Sequence, residues 1–97
     1  MAAVLGVITR ADGRDLPGVN ISLEVNPPPP GRLPSWGGFF RRPIEEGWLS
    51  SIGIEILTLS LADGRSGRAL VTNVQIEAKS AAQVVQFTGD GGLLTGR

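Results

Sequence analysis

Carboxylates, hydroxyls and arginines are the side chains with which this chain could do chemistry. It contains no His, no Cys and no Tyr, which removes imidazole bases, thiolate nucleophiles and the usual zinc ligands. A hydrolase built on paired carboxylates needs two of them to converge in a cleft. Glu24, Glu55 and Glu77 instead occupy positions of alternating apolar runs that we expect to face solvent. The sequence therefore predicts no catalytic residue and a protein that is not an enzyme.

Carboxylates in turn-like segments are the remaining candidates for binding an ion. Asp12 and Asp15 flank one glycine, and Asp90 stands in the run from Gly89 to Gly92. Calcium is held by six to eight oxygen ligands, whereas Asp beside Gly is also the ordinary composition of a turn. A phosphate cradle would require a helix after the glycines, and only a short apolar tail follows them. We expect neither a metal site nor a cofactor.

The aromatic residues are concentrated in residues 26–48, which hold four of the five aromatics and six of the seven prolines. Four consecutive prolines favour a stiff polyproline II conformation, and Trp and Arg are typical anchors of protein interfaces. We expect this segment to be a long Pro/aromatic-rich loop, or arm, between the second and third strands. Its predicted contact residues are Trp36, Phe39, Phe40 and Arg41.

Two interpretations of this arm stay open. It could fold back as a lid whose aromatic side chains cap an open end of the domain, with Trp48 anchoring the return to the core. It could instead pack into a second copy or another protein, because soluble monomers rarely leave such an apolar cluster exposed. Pro27, Pro30 and Arg32 also match a Pro-x-x-Pro-x-Arg ligand of SH3-type grooves, a pattern that is common in Pro-rich sequence.

Charge and hydropathy narrow the class of partner. Nine basic and nine acidic residues give no net charge, so no long-range field attracts nucleic acid or an anionic membrane. The basic pair Arg41 and Arg42 follows two Phe residues, but Glu45 and Glu46 come soon after and cancel its positive charge. This segment therefore does not favour binding of nucleic acid. No apolar run approaches the roughly 20 residues of a membrane helix, and we see no signal peptide. We expect a protein partner and, by default, a cytoplasmic location.

Strands must position these side chains, because apolar residues recur mainly at every second position. Residues 19–26 alternate without exception. The apolar phase shifts within residues 52–61, which predicts a β-bulge near Ile56 and Leu57 or a strand buried on both faces. The other strand-like runs cover residues 4–10, 68–79 and 83–88.

Side-chain phase within the last two runs gives more detailed expectations. In residues 68–79 we expect the phase of Leu70, Val74 and Ile76 to face the core. In residues 83–88 we expect Val85 and Phe87 to do so, and the glycines that follow should end the strand.

Five or six such strands with Gly and Pro turns predict a single all-β domain over residues 1–97, a small antiparallel barrel or sandwich. Ala-Asp-Gly-Arg occurs at residues 11–14 and again at residues 62–65, each time between two strand-like runs. Either hairpin turns have selected the same residues twice, or a hairpin unit has been duplicated.

Residues 6–23 resemble the opening hairpin of carboxypeptidase-regulatory-like domains. That family commonly has Gly-x-Val, a Gly-containing turn and then Pro-Leu-Pro-Gly-Val-x-Val. The corresponding residues here are Gly6-Val7-Ile8, the turn with Gly13, and Asp15-Leu16-Pro17-Gly18-Val19-Asn20-Ile21. Asp15 stands where Pro is usual, and the family's later segments are not found. The resemblance implies a transthyretin-like β-sandwich that serves as an accessory or binding module without catalytic residues.

These observations favour a non-enzymatic structural or protein-interaction module. We expect it to assemble with itself, either through the Pro/aromatic arm or by pairing of edge strands. The alternative is a small ligand-binding module in which the arm aromatics form a platform for a sugar or a peptide.

Overall fold

Six antiparallel strands form a closed barrel in the computed structural model, which describes residues 2–26, 30–31, 35–48 and 52–95. The sheet order around the barrel is β1-β2-β3-β6-β5-β4, and β4 pairs with β1 to close it. All-β architecture and a small antiparallel barrel are thus confirmed. The strands are β1 (Ala2–Thr9), β2 (Asp15–Asn26), β3 (Ser35–Pro43), β4 (Ile56–Leu61), β5 (Arg65–Glu77) and β6 (Ala82–Thr95), with 3₁₀ turns at Ile44–Glu46 and Ala78–Ser80.

The aromatic residues form a continuous column inside the barrel. Phe87 contacts Trp36 edge-on at a centroid distance of 6.1 Å and lies 6.0 Å from Phe40, which in turn meets the ring of Trp48 at 5.4 Å. These four side chains are at most 4% exposed. The segment that we predicted to be an arm therefore supplies three of the four rings of the core.

The form of residues 26–48 differs from the prediction of one long loop. Only residues 27–34 connect β2 to β3, and Ser35–Pro43 is a strand in the middle of the sheet, paired with both β2 and β6. Gly37 and Gly38 obscured its alternation in the sequence. They are needed because the strands approach closely: a Cβ on Gly38 would lie 1.8 Å from the backbone oxygen of Ser22. Trp48 is fully buried, which confirms that it anchors the return to the core.

Three predictions about strand phase and length are wrong. No bulge lies at Ile56 and Leu57, because residues 52–54 form a turn and β4 begins at Ile56. In β5 a register shift lies between Val71 and Asn73, so that before it Val71 rather than Leu70 is buried. Beyond the shift Val74 is buried as expected, whereas Ile76 is about half exposed. The glycines after Thr88 do not end β6, which continues to Thr95. The expected burial of Val85 and Phe87 is confirmed.

Strand pairing relates the two halves of the barrel, β1–β3 and β4–β6, by an internal twofold. The pairs Ile8↔Leu59 and Phe39↔Gln86 lie on it, because each joins two equivalent residues. The five pairs between β2 and β3, from Ser22↔Phe39 to Asn26↔Ser35, recur between β5 and β6 from Asn73↔Gln86 to Glu77↔Ala82. The two halves are therefore equivalent in topology and, over these stretches, in register.

The repeated Ala-Asp-Gly-Arg segments form the same turn at the tips of the equivalent hairpins β1–β2 and β4–β5. In the first, the Arg14 amide and Nε donate to the two carboxylate oxygens of Asp12 at 3.0 and 2.9 Å; Arg65 and Asp63 repeat both bonds at 3.1 and 2.9 Å. The central glycines have φ of 90° and 94°. Both alternatives, selection of the same residues by hairpin turns and duplication of a hairpin, predict this shared geometry.

Candidate interaction groove

A cleft lies where β2 and β3 diverge. The strands pair from Ser22↔Phe39 to Asn26↔Ser35. Beyond Ser22 and Phe39, among the described residues, no pair joins residues 15–21 to residues 40–43, although β2 stays paired with β1 and β3 with β6. A cleft of about 520 Å³ opens between them. We call it the β2–β3 groove; it is lined by Ala3, Gly18, Val19, Asn20, Ser22, Phe39, Phe40, Arg41 and Arg42.

Unpaired stretches of β2 and β3 border the groove on either side and offer it their backbone groups. Strand edges carry rows of backbone N–H and C=O groups that seek partners. The buried side chains of Val19 and Phe40 form an apolar floor, and Asn20 and Ser22 stand on the β2 rim. Such an arrangement suits an extended polypeptide, which offers both backbone groups and alternating side chains.

Phe39 and Arg41 form the β3 rim of the groove. The guanidinium carbon of Arg41 lies 5.6 Å from the centroid of the Phe39 ring, and Arg41 Nε donates to Glu77 Oε1 at 3.0 Å. The Arg41 side chain is 59% exposed. An ion pair so exposed contributes little, about 0–1 kcal/mol, so Arg41 can exchange Glu77 for another carboxylate at low cost.

The four predicted contact residues separate according to the alternation of β3. Phe39 and Arg41 lie on its outer face beside the groove, as a contact surface requires. Trp36 and Phe40 point into the barrel, are at most 4% exposed, and Trp36 Nε1 also donates to the Gly91 carbonyl at 2.8 Å. The expectation that Trp36 and Phe40 are accessible is therefore wrong, because a strand sends alternate side chains to opposite faces.

Sequence reasoning missed the β2 side of the groove. Asn20 and Ser22 belong to residues 19–26, which we interpreted only as a regular half-buried strand, and Gly18 directly precedes that run. The available signal was the pair Pro17-Gly18 at its start. Gly18 has φ of 68° and the register with β1 shifts there, and both features bend a strand and interrupt its pairing.

A second group of polar side chains, which we call the polar cap, closes the end of the barrel near Trp48. Arg10 Nε and Nη2 donate to the two Glu55 oxygens at 2.9 and 2.8 Å, and the Arg10 guanidinium lies 3.8 Å above the Trp48 ring. Glu46 accepts hydrogen bonds from Arg42 and, at 2.9 Å, from Trp48 Nε1. The expectation that Glu55 faces solvent is wrong: it lies just before β4 begins and is 8% exposed.

Electrostatics in the polar cap favour the ionised form of Glu46. Hydrogen bonds from Arg42 lower the pKa of Glu46, against the opposing effect of burial, and the hydrogen bond with Glu55 raises the pKa of Arg10. A general acid would need a raised carboxyl pKa. The lowered pKa of Glu46 is the opposite of that requirement, and both carboxylates form ion pairs with arginines that close this end of the barrel.

The described residues include no group of three or more carboxylates placed to hold a metal ion. Nor do they include a helix with the length and hydropathy needed to cross a membrane. Comparison with known proteins finds no match: no family model, no curated protein sequence and no solved structure matches the chain. The resemblance of residues 6–23 stays a prediction, and these residues form the β1–β2 hairpin.

Proposed function

We propose that this protein is a non-enzymatic protein-interaction module and that the β2–β3 groove is its contact surface. The observation that carries the proposal is the divergence of two neighbouring strands that are each paired on their other side. An extended segment of a partner can pair with these edges, a mode of recognition known as β-augmentation. Phe39 and Arg41 supply the side-chain contacts at the rim.

Self-assembly is the second candidate function and rests on a different surface. Ile52 and Ile54, in the turn before β4, are 41% and 79% exposed, and Ile56, the first residue of β4, is 45% exposed. This segment lies against β5, because the Gly53 amide donates to the Val71 carbonyl at 2.8 Å. Three exposed isoleucines so close together favour burial against a second copy.

Photo-crosslinking from the groove tests the first function. A benzophenone amino acid replaces Asn20 in the groove or, as a control, exposed Thr72 on β5, and the protein is irradiated in extract of its source cells. We expect a discrete adduct from position 20 only, which the double substitution Phe39→Ser and Arg41→Glu removes. Equal adducts from both positions, or none from position 20, would contradict the proposal. Mass spectrometry of the adduct shows whether the partner is another protein or a second copy.

Sedimentation equilibrium tests self-assembly separately. If the isoleucines mediate it, the wild-type mass should rise with concentration and Ile54→Ser should shift the association by about tenfold or more. Ile76→Ser is the matched control, since Ile76 is also about half exposed but lies further along β5. A constant monomer mass up to millimolar concentration would exclude this second function.

A further inference from the structure

We infer that the β2–β3 groove is a vacant strand position and that its occupant is an acidic, extended segment of a partner protein lying antiparallel to β2 beside residues 18–21. This inference rests on the proposed function and names the class of partner. The two halves of the barrel, one of which has this position filled, provide the argument.

Six residue pairs of the second half have no counterpart in the first. Beyond Asn73↔Gln86, strand β6 continues beside β5 in the pairs Val71↔Phe87, Leu70↔Thr88, Ala69↔Gly89 and Arg68↔Asp90, and then in Ser66↔Leu94 and Arg65↔Thr95. The internal twofold places residues 21, 20, 19 and 18 of β2 where residues 71, 70, 69 and 68 of β5 lie. Strand β3 leaves at this point, and β2 lacks there the antiparallel neighbour that β5 has.

Two local differences explain why the first half opens. Strand β5 contains one additional residue, Thr72, at its register shift, and β2 has no such residue between Ile21 and Ser22, where pairing stops. A bulge of this kind bends a strand and allows pairing to continue past a twist. In addition, Pro43 occupies the place equivalent to Asp90. It has no N–H to offer to the edge of β2.

The filled position indicates what an occupant must look like. Gly89 pairs with buried Ala69, and a Cβ on Gly89 would lie 2.2 Å from the Trp36 ring, so the inward-facing residue of that strand must be small. Its neighbours Thr88 and Asp90 face outward and are exposed. By the same alternation, the occupant places one residue inward opposite Val19 and can carry polar ones on either side. Gln83 stands where Trp36 stands in the other half, so the limit on the size of the inward residue does not carry over.

Charge selects an acidic occupant. The groove lining includes two arginines, Arg41 and Arg42, and no carboxylate. Glu77 and Glu46, which pair with them, are not among the lining residues. The Arg41–Glu77 pair is mostly exposed, so a carboxylate on the outward face of the occupant can replace Glu77 as partner of Arg41 and form a charge-assisted hydrogen bond.

A peptide with the sequence of residues 86–95, blocked at both ends, is the probe. It is the strand that fills the equivalent position, and it carries a glycine and an aspartate one after the other. It is titrated into the isotope-labelled full-length protein while amide NMR shifts are followed. We expect saturable shifts confined to residues 18–22 and 39–42, with hydrogen-exchange protection of the amides of Gly18 and Asn20.

Matched variants of protein and peptide make the titration specific. Arg41→Glu, or replacement of the peptide's aspartate by lysine, should weaken binding by about tenfold, the effect of losing one charge-assisted contact. Combining both changes should restore most of the affinity. Arg68→Glu is the control, because Arg68 is equally a surface arginine but lies on β5, and it should leave affinity within about twofold. Proline in place of the peptide's first threonine, whose N–H faces the neighbouring strand in the filled position, should abolish binding.

Three results would overturn the inference. They are no shifts up to millimolar peptide, shifts along β5 that indicate displacement of β6, and protection of the groove in concentrated protein without peptide, which would make a second copy the occupant. The proposed function fails separately: an adduct from position 20 with another protein would uphold the groove as a contact surface even where the acidic peptide does not bind.

Discussion

The two halves of this barrel have the same topology and differ at their ends. Ile8 and Leu59 are equivalent and pair with each other, but the next inward positions diverge: Arg10 corresponds to Leu61, and Glu55 to Val4. One end of the barrel is therefore closed by a buried ion pair stacked on the Trp48 ring, and the other end by apolar side chains. A symmetric arrangement of strands thus tolerates opposite solutions to the same packing problem.

Backbone hydrogen bonding also differs between the two ends of the barrel. The Ala62 amide donates to the Leu5 carbonyl at 2.8 Å, whereas its counterpart, the Ala11 amide, donates to Glu55 Oε2 at 3.3 Å. A side chain here does what a main-chain group does in the other half. The polar cap is therefore part of the barrel closure, and the groove is the second place where the halves differ.

The largest expected effect comes from making the polar cap resemble the apolar end one residue at a time. Glu55→Val should lower the free energy of unfolding by about 3–5 kcal/mol, because it leaves the Arg10 guanidinium buried without its carboxylate. Arg10→Leu should cost a similar amount by leaving Glu55 buried. Urea unfolding followed by tryptophan fluorescence measures both.

The double variant Arg10→Leu with Glu55→Val reproduces the pair found at the other end and is the control for these single changes. Apolar residues often replace a buried ion pair without loss, so we expect the double variant to be more stable than either single variant. Additive losses in the double-mutant cycle would show that the two ends are not interchangeable.

Gly38 and Val85 occupy equivalent positions in the two halves, but only at Gly38 does the neighbouring backbone leave no room for a side chain. Gly38→Ala should cost about 3 kcal/mol, since its Cβ would overlap the Ser22 carbonyl oxygen and the strands would have to separate. Val85→Ala, which places the same residue at the equivalent position, should cost about 1–2 kcal/mol through a cavity. Equal losses in thermal unfolding of the two variants would mean that β2 and β3 can move apart freely.

Residue types and alternation were sufficient to predict the all-β class, six strands at most and the burial of Val85 and Phe87. They could not predict that Ser35–Pro43 is a strand, because glycines and prolines there obscure the alternation of apolar and polar residues. Glycine is needed at position 38 because the backbone there lies close to β2. The predicted phase of β5 is wrong before Thr72 for a comparable cause. Thr72 is an additional residue at a register shift, and only the partner strand reveals such a residue.

The candidate site was predictable only in part. Composition located the aromatic and basic residues, and alternation then decides that Phe39 and Arg41 share one face while Trp36 and Phe40 share the other. The groove itself depends on which strands are neighbours, and β2 meets β3 only after a connection of eight residues, 27–34. Burial of Glu55 likewise depends on Arg10, which is distant in sequence.

Closing the groove tests whether it arises from the two local differences. Inserting Thr after Ile21 and changing Pro43→Asp gives the first half the features of the second. We expect new pairing between β2 and β3, hydrogen-exchange protection at Gly18 and Asn20, a gain of up to about 1 kcal/mol in stability, and loss of binding to the peptide of residues 86–95. Inserting Thr alone is the control and should give little protection. A protein that closes yet still binds the peptide would place its site elsewhere.

The smallest expected difference is between the hairpin tips, where the halves are most alike. Hydrogen bonds from Arg14, first from its backbone amide, lower the pKa of Asp12, and those from Arg65, first from its side chain, lower the pKa of Asp63. Since the unfolded chain then binds protons more readily than the folded one, each tip stabilises the fold above the usual Asp pKa and loses this as pH falls through the lowered value. Carboxyl NMR titration should give lowered and similar pKa values for both aspartates. Arg14→Gln should raise the pKa of Asp12 and leave that of Asp63 unchanged, and Arg65→Gln should do the reverse. If one aspartate has an ordinary pKa while the other has a lowered one, the shared turn geometry does not determine these pKa values. The two halves would then be equivalent in their strands but not in their hairpin tips.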